Sequence, residues 1–92
     1  MKTSYLDLDL IKRDGPFDEF KQDVSVVSVE LKSGEQCHQI LLMYPNEIIG
    51  MNGMSSLPFA VEEVNKVFQT KDDLSTRADM SWVFRERNSN LR

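Results

Sequence analysis

Cys37 and His38 are neighbours, and they are the chain's one cysteine and one histidine. A thiolate with a base in reach is what nucleophilic catalysis by cysteine requires. Adjacency works against the pair, because successive side chains on a strand point to opposite faces and this segment reads as strand. Cys37 is therefore expected to serve as a small apolar filler. Asp7 and Asp9 flank Leu8 and share one face of an expected strand, an arrangement that elsewhere holds a divalent cation or shares a proton. No calcium-loop pattern follows them, so a solvated face is expected. Glu62-Glu63 and Asp72-Asp73 read as acidic pairs near helix ends. One His and one Cys do not complete a zinc site without carboxylates or a second chain.

The glycines carry no phosphate-binding signature. Gly50-Met51-Asn52-Gly53 lacks the strand, glycine, helix context of a dinucleotide fingerprint, and no glycine precedes a Lys-Ser or Lys-Thr pair. No serine sits in a G-x-S-x-G elbow. The expectation is a protein that is not an enzyme and takes no cofactor or metal.

Apolar side chains outside the regular segments offer more. Met51, Met54, Leu57 and Phe59 cluster in a small, polar stretch, and methionine adapts to partner surfaces. Exposed, they would form an interaction patch. Packed inward, they would plug one end of a small sheet. Near the far end, Trp82 and Phe84 stand among Arg77, Arg85, Arg87 and Arg92. Aromatics interleaved with arginine can stack bases, but filling the core is the commoner use of Trp and Phe, and the chain as a whole is acidic. Nucleic acid is not an expected partner, since it is recognised by a basic footprint.

The elements that must position these residues follow from periodicity. Leu6, Leu8 and Leu10 alternate with Asp7 and Asp9, predicting a half-buried strand. Phe17 and Phe20 lie one helical turn apart after Asp14-Gly15-Pro16. Residues 24–31 are rich in valine and predict a strand. Lys32-Ser33-Gly34-Glu35 then turns the chain into a second strand closed by Pro45-Asn46, giving a central β-hairpin over about 24–44. Residues 47–51 predict a third strand, with Gly50 at a bulge or a close backbone approach. Leu57, Val61, Val64 and Phe68 repeat at helical spacing behind Pro58, predicting a helix over about 58–69. Three valines weaken that helix, and a strand over 64–70 competes with it. Residues 80–86 admit two readings: a strand by the alternation of Met80, Trp82 and Phe84, or a helix capped by Thr76 and Asp79.

These segments predict an α+β fold, a small mainly antiparallel sheet of about four or five strands with one packed helix. A small SH3-like half-open barrel is the alternative, preferred if 64–70 is strand. The 92 residues, 40% hydrophobic and 28% charged, fit one domain that buries roughly 60–70% of its unfolded surface, with a tail fraying from about residue 88. No run approaches the ~20 apolar residues that span a bilayer, and Asp7 and Asp9 interrupt what would be a leader's apolar stretch, so a cytoplasmic protein is expected. In overall style, short and acidic without catalytic signatures, the chain resembles many small bacterial proteins, a likeness that carries no residue role.

The net charge of −4 is polarised. Residues 1–35 hold eight acids and five bases, while residues 77–92 hold four bases and two acids. The leading functional expectation is a protein-interaction module, a homodimer being one form of it, presenting an acidic face and the Met51–Phe59 loop. The alternative is a small-ligand domain with an apolar pocket between sheet and helix, lined by Trp82, Phe59, Tyr44 and His38.

Overall fold

The computed structural model describes residues 4–84. In chain order these form α1 (Leu8–Asp14), β1 (Glu19–Lys21), β2 (Val24–Leu31), β3 (Gln36–Met43), β4 (Glu47–Met51), β5 (Val64–Phe68) and α2 (Lys71–Ser75), with 3-10 turns at Val61–Glu63 and Met80–Trp82. The strands make one antiparallel five-stranded sheet in the order β1-β2-β3-β4, with β5 pairing β2 beyond β1. The α+β fold holds. The SH3-like half-open barrel is compatible with the same strand order.

β2 organises the sheet because both of its faces are buried. Val27, Val29 and Leu31 face one apolar cluster together with Leu6, Ile40, Leu42, Ile48, Val64, Val67 and Phe84. Val24 and Val26 face a second, with Leu41, Ile49 and Trp82. A strand rich in valine on both faces is what this placement demands. The β2–β3 hairpin turns where expected, with Gly34 at φ +94°, a conformation a Cβ disfavours.

Each strand pairing contains one register shift, and these bulges explain where periodicity misleads. Leu31 pairs with Val64 while Glu30 pairs with Lys66, so Asn65 is an extra residue in β5. Val64 and Val67, three apart, consequently both face the core, and a spacing of three imitates a helix. The helix expected over 58–69 is therefore absent: a loop, a 3-10 turn and β5 take its place. Gly50 lies beside the bulge of β4, and a Cβ there would run into the Trp82 carbonyl oxygen. The close approach expected of Gly50 is thus met by the backbone of residues 82–83.

The opening segment reverses the other way. Instead of a strand carrying Leu6, Leu8 and Leu10, the chain forms α1, because the Asp7 side chain caps it by accepting from the Asp9 N–H and Lys12 and Arg13 occupy the last turn. Leu6 is buried, Leu10 and Ile11 pack on the first cluster, and Leu8 is left 50% exposed. Phe17 and Phe20 form no helical turn either. They diverge, Phe17 to the first cluster and Phe20, in β1, to the second. Residues 80–84 make a 3-10 turn capped by Asp79 and then a single bridge from Val83 to Gly50, with Trp82 and Phe84 sent to different clusters. The expected frayed tail and Arg85, Arg87 and Arg92 lie outside the described residues.

Two edges of the sheet, those of β4 and β5, are occupied. Beside β4, Ile48 N–H donates to Ser4 O at 2.8 Å and Phe84 N–H to Ile49 O at 3.1 Å. Along β5, Val67 N–H donates to Asp14 Oδ2 at 2.8 Å, and Arg13 Nη2 donates to Asn65 O at 2.7 Å. Covered edges blunt strand-to-strand association.

Candidate functional site

A pocket of about 460 Å³ opens between the sheet and α1. Its floor is the cross-strand pair Ser25 and Leu42. Leu8, Ile11 and Lys12 of α1 form one wall, Gly15-Pro16-Phe17 and Glu19 another, and Tyr44-Pro45 closes the rim. α1 stands away from the sheet here because Gly15 ends it: Gly15 N–H donates to Ile11 O at 2.7 Å, and the chain leaves in extended form. Leu8 and Tyr44, 50% and 71% exposed, flank the mouth with apolar surface that the core does not absorb. Size and lining suit a small molecule, and the polar side chains around it include Ser25, Tyr44 and the oppositely charged Lys12 and Glu19. A second hollow of about 570 Å³ is polar, with Asp7, Arg13, Lys32 and Glu62 mixing both charge signs along it.

The expected pocket lay between the sheet and a helix over 58–69; that helix is absent, and this pocket is walled by α1 instead. Of the expected lining, only Tyr44 is present. Trp82 is buried in the second cluster, Phe59 packs with Leu57 and Val61 on the first, and His38 stands on the other face of the sheet. Leu8 and Ile11 reach the pocket because their segment is helix rather than strand, and Phe17 because it packs toward the first cluster from outside any helical turn. Met51 at the end of β4 and Leu57 and Phe59 in the loop of residues 52–60 pack against the first cluster, whereas Met54 in the same loop is 37% exposed. Phe84 is buried in the first cluster.

On that other face, His38 is joined to residues distant in the chain. β3 carries one residue more than β2 between Val27↔Ile40 and Val29↔Cys37, and Gln39 takes φ +58°. Cys37 consequently packs against the first cluster while His38 meets Ser28. The pair thus diverges as the alternation rule requires, and burial pushes the Cys37 thiol up, with Glu35 adding to the shift. Ser28 Oγ lies 2.7 Å from His38 Nδ1 and 2.7 Å from Asp73 Oδ2. Ser28 is fully buried and Asp73 is 3% exposed, while His38 reaches the surface. Asp73 Oδ2 also accepts the Thr70 N–H at 2.9 Å, and Thr70 Oγ1 accepts the Asp73 N–H at 3.0 Å, a capping box that starts α2. Asp73 Oδ1 is buried without a hydrogen-bond partner. The Phe68 ring stands edge-on to His38 at 6.3 Å, and Lys66 Nζ lies 5.5 Å from the centroid of the same ring.

Two signals in the sequence pointed toward this cluster: a serine inside a strand apolar on both faces, and the T-x-x-D spacing of a capping box. Among the described residues, no three His, Cys, Asp or Glu side chains gather where a metal ion could sit. No described helix is long and apolar enough to cross a membrane.

Fold and site together define a small α+β domain with an apolar pocket on one sheet face and a Ser-His-Asp cluster on the other. No family model matches the chain, and neither a curated protein nor a solved structure shows significant similarity to it.

Proposed function

We propose that the protein is a small-ligand binding domain whose ligand is a small, largely apolar molecule held between α1 and the sheet. One observation carries this: an apolar pocket of ligand size with Leu8 and Tyr44 held exposed at its mouth. Burial of such a ligand needs no chemistry from the pocket and no cofactor. The expected interaction module has less support. The β4 and β5 edges are occupied, and Met51, Leu57 and Phe59 pack inward, so these surfaces offer a protein partner or a second copy little to pair with.

The test is titration with anilinonaphthalene sulfonate and with hexanoate, read by methyl NMR and by thermal shift. Saturable shifts of the Leu8, Ile11 and Leu42 methyls are expected, with stabilisation of about 2.7 kcal/mol at 100 times the dissociation constant. Leu8→Glu should abolish the shifts at little cost in stability, because Leu8 is half exposed. Probes that leave all three methyls unmoved at millimolar concentration would remove this reading.

A further inference from the structure

We propose that His38 is a nucleophile for acyl transfer from small activated esters, with Ser28 and Asp73 as the positioning residues that hold its reactive tautomer. This site lies across the sheet from the pocket and does not depend on it.

The argument is one of proton counting. Asp73 Oδ2 accepts the Thr70 N–H and takes the single proton of the Ser28 hydroxyl. With that proton directed to the carboxylate, the Ser28 hydroxyl oxygen is left as an acceptor, and the 2.7 Å contact between Ser28 Oγ and His38 Nδ1 is assigned to an Nδ1–H donating to it. The imidazole then carries its lone pair on Nε2. His38 is exposed, and the edge-on Phe68 ring limits how the imidazole can turn. Lys66, above the same phenyl ring, puts a cation on the same patch. A catalytic triad places histidine between serine and aspartate. Here serine is in the middle and fully buried, which removes it as a nucleophile and leaves the imidazole as the reactive end.

The chemistry balances without a further reagent. Nε2 attacks the ester carbonyl carbon, an N–C bond forms, and the bond to the leaving oxygen breaks with its electron pair. The acylated imidazolium gives its Nδ1 proton to Ser28 Oγ as the Ser28 proton passes to Asp73 Oδ2. Water then cleaves the acyl–nitrogen bond. Its oxygen and one proton leave in the carboxylic acid, its other proton goes to solvent, and the Asp73 proton returns through Ser28 to Nδ1.

Nitrogen-15 NMR of the unaltered chain reads the tautomer directly, since one imidazole is present. The Nδ1–H form is expected, and Ser28→Ala should erase that preference. With p-nitrophenyl acetate, p-nitrophenolate release should accompany one acetyl group on His38. The rate should fall at least about tenfold in Ser28→Ala, a modest share of what a positioned proton acceptor contributes. An Nε2–H tautomer in the folded unaltered chain would overturn the proposal even if Ser28→Ala fails to fold. So would p-nitrophenolate release that persists undiminished in His38→Gln.

Discussion

Ser25 and Ser28 sit three residues apart on the same strand, and both are buried. Ser25 faces the floor of an apolar pocket, opposite Leu42, where α1 stops short of covering it. Ser28 faces the other way and lies between a surface imidazole and a buried carboxylate. The same residue type on one strand thus serves two unlike surroundings, because alternation gives each serine a different face and distant segments decide what meets it. Burial of a hydroxyl says little by itself; its partners decide what its loss costs.

Substitutions should separate the two faces by size of effect. Asp73→Ala removes the capping box and strands the Ser28 hydroxyl and the Thr70 N–H, so a loss of about 2–4 kcal/mol is expected in urea melts. Ser28→Ala leaves Asp73 with fewer donors and should cost about 1–3 kcal/mol. Ser25→Ala should stay within about 0.5 kcal/mol. If Ser25→Ala cost as much as Ser28→Ala, the contrast between the faces would fail.

Between these lies Asp14, which fastens α1, a wall of the pocket, to β5. The hydrogen bonds from Arg13 hold the Asp14 carboxyl below its ordinary range; burial opposes them and the Val67 N–H assists. Asp14→Ala should lose about 1 kcal/mol at neutral pH through the Val67 bond, the exposed arm of the Arg13 pair adding little. Because the folded value is lowered, this stability is present above the unfolded value of about 3.9 and is lost as pH falls through the folded one. The gap between Asp14→Ala and the unaltered chain should therefore close in acid, and a constant gap would count against the assignment. Cys37 gives the smallest signal. Its raised thiol should label more slowly in the native chain than in urea, with no change in the fold.

The hairpin was legible in the sequence because its evidence is local. Valine-rich β2, the turn at Gly34 and the break at Pro45 need no distant partner to be read. Gly50 was legible as a special backbone position, though not that the carbonyl of Trp82 would press against it. Periodicity failed where something interrupted it. In β5 the extra Asn65 turned a period of two into a spacing of three, and at Leu6, Leu8 and Leu10 an Asp7 cap converted apparent alternation into a helix with Leu8 left outside. The pocket inherited that second error, since its wall is α1.

Residue type and short-range spacing account for the central strands, their turn, the divergence of Cys37 from His38 and the net acidic charge. Tertiary structure alone decided that α1 would wall a pocket and that Asp73, 45 residues from Ser28, would complete a chain of hydrogen bonds to His38. Those contacts depend on which strands pair and where each bulge falls, and an extra residue in one strand re-aims every side chain beyond it.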